Sequence, residues 1–164
     1  GHPMAGREKK GYGYASKEVF KNANYILIEH PVNQKECISF MERFVGTLGF
    51  KSVKIMSPQA HDEIISFTSQ LPHAIAVSLI NSDNEKYETG KYIGDSYRDL
   101  TRIANINENL WSELFLRNSD YLLASIEAFE EQLDLIKVAL KDNDERLLKD
   151  LFIKSSLRRE KLEK

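Results

Sequence analysis

Two strand-like runs joined by one helix, with helical spacing everywhere after them, limit what this chain can fold into more than any other feature. The run Asn24 to His30 is rich in β-formers and is stopped by Pro31, which reads as a buried strand. Asn33 is placed to cap a helix to about Leu48, with Cys37, Phe40, Met41, Phe44, Val45 and Leu48 on its inward face and Gly49 as the stop. Phe50 to Met56 then alternates as a second strand, Val53 and Ile55 facing one way. Strand–helix–strand is a parallel crossover unit, and two strands alone do not make a stable sheet. No further strand pattern is expected: residues 1 to 23, with glycines at 1, 6, 11 and 13, read as a loop running into a short helix near Ser16 to Asn22. The unit therefore looks like the end of an α/β domain whose beginning lies outside this chain.

The stretch Ser57 to Ile80 opens the helical part. Ser57 suits an N-cap, Pro58 the first helical position, and Asp62 and Glu63 the early turns, where the helix dipole favours negative charge. Ile64, Ile65, Thr68, Leu71, Ile75 and Leu79 keep helical spacing. Pro72 interrupts it, because proline lacks an N–H and crowds the carbonyl four residues back, that of Thr68; a kink is expected there. Ser69 and His73 flank the break. They read either as a polar site or as a hydrogen-bonded histidine in a kinked core helix.

Helical patterning continues to the end. Asp95 is a fair cap for a short helix carrying Tyr97, Leu100, Thr101 and Ala104, and Asn107 for the next, which holds Leu110, Trp111, Leu114 and Phe115. Leu122, Ile126, Phe129, Leu133, Ile136 and Leu140 form a heptad seam, which serves either intrachain packing or pairing with a second copy. Asp142 with Glu145 suggests a capping box for a last helix burying Leu147, Leu148, Leu151 and Phe152, followed by a basic tail. A formal charge of −2 predicts no nucleic-acid or membrane-surface partner. The single cysteine, Cys37, fits a reducing cytoplasm, and no apolar run reaches the roughly 20 residues of a membrane span. No zinc, EF-hand or hydrolase motif occurs, so no metal is expected; Gly11-Tyr12-Gly13 imitates a dinucleotide fingerprint but lacks the strand before it.

Several short words stand in one order: HPMAG at residues 2 to 6 with Glu8 after it, HD at 61 and 62, SQLPH at 69 to 73, YRDLTRIA at 97 to 104, and Leu110-Trp111-Ser112. Together they closely resemble the prephenate dehydrogenase (TyrA) family of tyrosine biosynthesis, over essentially the whole chain. The resemblance implies a fold that is mainly α: residues 1–56 as the last part of an NAD-binding Rossmann-type domain, and 57–164 as an all-helical dimerisation and substrate domain. It implies a cytoplasmic homodimer that oxidatively decarboxylates prephenate to 4-hydroxyphenylpyruvate, with NAD as cofactor. The glycine-rich loop would lie upstream, so this chain alone should be inactive.

By residue match, His2 is the group that takes the ring-hydroxyl proton, a task suited to an imidazole. Arg102 is the guanidinium that grips a substrate carboxylate with a fork lysine cannot copy, and His73 is a second substrate-binding histidine. Glu8 and Asp99 match an ionic network around the arginine, Trp111 an aromatic near the subunit interface, and Ser69 is a supporting polar group. Without the resemblance, Glu8 is a loop charge, Asp99 a partner of Arg98 or Arg102, and Trp111 a core aromatic. Two departures stand out. Gln70 replaces a histidine common in relatives, so no acid–base role is expected there, and Asp95-Ser96 replaces a glycine pair. No tyrosine-sensing domain is expected after the helices. Arogenate remains an alternative substrate, and a helical self-association module without an active site is the reading from a different class.

Overall fold

The computed structural model describes residues 1–6 and 11–162. It is mainly helical, with a small sheet at the front, and its backbone contacts divide it into Gly1–Leu122 and Leu123–Lys164.

The first unit contains the expected crossover: β2 (Asn24–Ile28), α1 (Lys35–Thr47) and β3 (Ser52–Met56), with β2 and β3 parallel and Ile26 opposite Lys54. A third strand, β1 (His2–Met4), lies where a loop was expected and runs antiparallel to β2, pairing His2 with Ile26. It escapes pattern reading because it has three residues, one of them proline, and its partners are 20 to 24 positions away. Proline is tolerated in it because β1 is an edge strand, the order being β1-β2-β3.

The inward face expected for α1 is mostly uncovered. Only Val45 is buried; Phe40, Phe44 and Leu48 are 48–58% exposed and Cys37 is exposed, because a three-stranded sheet is too narrow to cover the helix. Asn33 does not cap it. Its Oδ1 accepts the His30 N–H at 2.8 Å, closing a turn around Pro31, and Gln34 takes the N-cap position without a side-chain bond. Gly49 ends the helix region at φ 87°, a left-handed conformation glycine adopts without strain. In place of the short helix near Ser16 there is a 3₁₀ turn, Lys17–Val19, with Ser16 accepting the Glu18 N–H.

Next come α2 (Pro58–Ile65), a π-helical turn (Ser66–Gln70) and α3 (Leu71–Asn81). Ser57 caps α2 by accepting the Ala60 N–H at 3.2 Å, and Pro58 opens it. The break expected at Pro72 takes the form of the π turn just before it. The wider turn adds a residue to the coil and changes which carbonyls face the missing N–H. The core sits here and under β2: Ile26, Leu27, Leu71, Ala76 and Leu122 are buried, with Ser66 and Gln70 as buried polar groups. Then follow α4 (Asp95–Thr101), the 3₁₀ turn Arg102–Ala104, α5 (Glu108–Arg117) and α6 (Ser119–Lys141). Gly94, not Asp95, is the N-cap of α4; Asp95 pairs instead with Arg98. Asn107 caps α5 through the Leu110 N–H.

The second unit holds the rest of α6 and α7 (Glu145–Leu162). Between them, Asn143 at φ 50° and a bond from the Asp144 N–H to the Ala139 carbonyl form a left-handed helix stop. The cap of α7 is Asp144, whose Oδ1 accepts the Leu147 N–H, rather than Asp142. Leu147, Leu148 and Leu151 are half-buried, but Phe152 is 58% exposed. On α6, Phe129, Leu133 and Leu140 of the heptad seam are 36–60% exposed. No described helix is long and apolar enough to cross a membrane.

Candidate functional site

One cavity of about 1240 Å³ opens in the first unit, between β1, the α2–π–α3 rod, the Arg102 turn and α5. It is larger than the usual ~300–1,000 Å³ of a small-molecule pocket. His2, Ser69, His73, Arg102 and Trp111 all line it. Asp99 does not; it is exposed on α4. Glu8 lies outside the described residues.

Each side chain is aimed by its element. His2 is held by the backbone pairing of β1 with β2. Its Nδ1 is 3.0 Å from the Pro3 carbonyl, and its Nε2 is 2.8 Å from Nε2 of His61. His61 in turn sets its Nδ1 2.7 Å from Oδ1 of Asp62. Sequence reasoning does not place His61 in the site, although it shares a helical stripe with Ile65, Ser69 and Pro72, spaced 4, 4 and 3. The word HD carries that signal, but only the contact with His2, 59 positions away, gives it meaning.

On the far wall, the His73 Nδ1–H donates to the Ser69 carbonyl at 2.8 Å, which leaves Nε2 as the acceptor in the neutral ring. The ring stacks on Trp111 with centroids 3.6 Å apart and planes at 27°, and Trp111 meets Phe115 edge-on at 5.8 Å. His73 is thus fixed in tautomer by the rod and in orientation by α5. Arg102 begins the 3₁₀ turn that packs on α3. A second guanidinium at the rim, Arg117, is engaged by Glu113 at 2.7 Å.

Gln70 has a structural task. It is 4% exposed, its Nε2 donates to the Leu114 carbonyl at 3.0 Å, and its Oε1 accepts from Asn118 Nδ2 at 2.9 Å. Asn118 also donates to the Asp62 carbonyl at 2.9 Å. Two amides therefore bolt the rod carrying Ser69 and His73 to the end of α5. Among the described residues, no group of three metal-ligating side chains occurs. The turn from β2 into α1, Glu29 to Gln34, contains no glycine, so it does not form the pyrophosphate cradle of a dinucleotide fold.

Chemically, the cavity lining offers an imidazole pair, an acceptor imidazole on an aromatic plate, and cationic charge. That set suits a small anionic ring compound undergoing proton transfer.

Comparison with known proteins gives a consistent picture. The family model "Prephenate dehydrogenase, dimerization domain" matches residues 57–154, and "Prephenate dehydrogenase, nucleotide-binding domain" matches residues 1–54. The prephenate dehydrogenase of Bacillus subtilis is 30% identical over 148 residues, 88% of this chain and 40% of that protein. The cyclohexadienyl dehydrogenase of Zymomonas mobilis is 28% identical over 159 residues, 94% of this chain and 54% of that protein. A solved prephenate dehydrogenase of A. aeolicus, in complex with hydroxyphenyl propionate and NAD+, superposes with a TM-score of 0.82 at 30% identity, covering 97% of this chain and 57% of that one. The chain thus spans about half the length of the relatives it matches.

Proposed function

This chain belongs to the prephenate dehydrogenase family, and on that footing we propose that it supplies the substrate-binding and dimerising part of a prephenate dehydrogenase. Residues 1–56 belong to the nucleotide-binding domain and 57–164 to the helical domain, and the whole enzyme works as a cytoplasmic homodimer with NAD. The observation that carries the reading is the convergence of His2, Ser69, His73, Arg102 and Trp111 on one cavity.

His2 accepts the proton of the substrate's ring hydroxyl. Arg102 grips one of the two carboxylates through parallel N–H donors, and His73 meets a hydroxyl or protonated group through Nε2. Trp111 keeps the His73 ring in line and presents an apolar wall. The nicotinamide, when bound, supplies the hydride acceptor, and the phosphates of its dinucleotide find no glycine-rich cradle between β2 and α1. Aromatisation on loss of CO₂ drives the reaction, which leaves the protein to orient groups and stabilise charge.

Relatedness to a cyclohexadienyl dehydrogenase supports arogenate as a second substrate. The test is a side-by-side assay of prephenate and arogenate with NAD+ on the enzyme with a complete nucleotide-binding domain. Turnover of prephenate that His2→Asn lowers about 100-fold or more supports the reading. Unchanged turnover in that variant removes His2 as the proton acceptor, and binding of neither substrate overturns the assignment. Light scattering that returns a monomer mass would refute the dimer.

A further inference from the structure

We propose that His61, oriented by Asp62, is a positioning residue for His2: it fixes which ring nitrogen of His2 carries no hydrogen and so accepts the substrate's proton, and it stabilises the imidazolium that results. The proposal rests on His2 being the proton acceptor.

Asp62 Oδ1 only accepts, so the proton of neutral His61 sits on Nδ1 and its Nε2 becomes an acceptor. The 2.8 Å contact between the two Nε2 atoms then needs a hydrogen, and His2 must provide it. Neutral His2 is therefore protonated on Nε2 and bare on Nδ1. The bare Nδ1 faces the Pro3 carbonyl at 3.0 Å, which is two acceptors in contact and a poor arrangement. Three contacts ask for three N–H groups, and two neutral imidazoles supply only two. The set is complete once one more proton arrives. In the transfer, the hydroxyl O–H bond breaks with its electron pair left on oxygen, and an N–H bond forms at His2 Nδ1. The new cation is then held by the Pro3 carbonyl on one side and by His61 on the other, with the Asp62 carboxylate behind. Such a site is organised for the charged state before the reaction begins. With ring centroids 5.0 Å apart and planes at 84°, the two Nε2 edges face each other, which lets the His2 Nε2–H point at the in-plane lone pair of His61.

His61→Leu removes the acceptor while keeping bulk, His61→Gln offers an amide oxygen in its place, and Asp62→Asn allows the His61 tautomer to flip. In the enzyme with a complete nucleotide-binding domain, His61→Leu is expected to lower kcat about 30-fold. KM for prephenate should move less than about threefold, because neither residue grips the substrate. His61→Gln should recover most of that loss, and Asp62→Asn should resemble His61→Leu. Independently of activity, ¹⁵N-histidine spectra of this chain should show coupling across the hydrogen bond between the two Nε2 nuclei, absent in His61→Leu. Equal losses in His61→Leu and His61→Gln, or absence of the coupling, overturn the proposal. If His2→Asn leaves turnover intact, the parent reading falls; if it abolishes turnover while His61→Leu does not lower it, only the positioning role falls.

Discussion

Replacing Gln70 with leucine keeps the volume of a buried side chain and removes its two hydrogen bonds, to the Leu114 carbonyl and from Asn118. Each neutral bond contributes about 1 kcal/mol net, and leaving a carbonyl and an amide N–H short of partners in a dry place costs about 1 kcal/mol more. The apolar leucine returns about 1 kcal/mol by burial at a site only 4% exposed. The net loss is about 2 kcal/mol. For a chain of this size that lowers Tm by about 4–8 °C, read by circular dichroism at 222 nm. Gln70→His, with one donor and one acceptor, can keep part of the pair and should lose about half as much. The same bolt holds His73 against Trp111, so Gln70→Leu should also weaken substrate binding in the intact enzyme. A Tm within about 1 °C of the parent would show that the two amides are not the tie between the rod and α5.

Other outcomes follow from the same geometry. Arg102→Ala should raise KM for prephenate about 30-fold, from about 2 kcal/mol of charge-assisted bonding at an exposed group, with KM for NAD+ nearly unchanged; Arg102→Lys should recover only part. Equal effects on both constants would count against its grip on a carboxylate. Trp111→Leu removes the plate under His73 and should raise KM several-fold with little change in Tm, a pattern that kinetics and calorimetry read separately. Leu133→Glu puts a charge into the exposed seam of α6 and should halve the mass seen by light scattering, while helix content stays the same.

Local rules reach far where the partner lies within a turn. Ser57 and Asn107 cap the helices they precede, and Pro72 marks a real break, because caps and proline effects are settled by neighbours three or four residues away. The rules fail where two local options compete. Asn33 closes a turn onto His30 instead of capping α1, and Asp144 rather than Asp142 caps α7 once Asn143 has turned the chain. They fail altogether for β1, which exists only because β2 offers its edge. The cavity shows the same division. His73 and Ser69 stand out as a polar pair at a helix break, and His2, Arg102 and Trp111 only through the family words. Gln70 and His61 act through Asn118 and His2, 48 and 59 positions away, and no spacing rule reaches that far.

The π turn at Ser66–Gln70 has one more consequence. A π turn spreads its extra residue over a wider coil, its five residues covering about the angle of four α-helical ones, so deleting one of those positions would leave the helix after it in nearly the same phase. Helix content would barely register the loss. His73 would stay near its aromatic plate, and what would be lost is the local widening that accommodates Pro72, which has no N–H for a regular α-helical turn. The surplus amino acid thus lets a proline sit in mid-rod without turning half the cavity out of place.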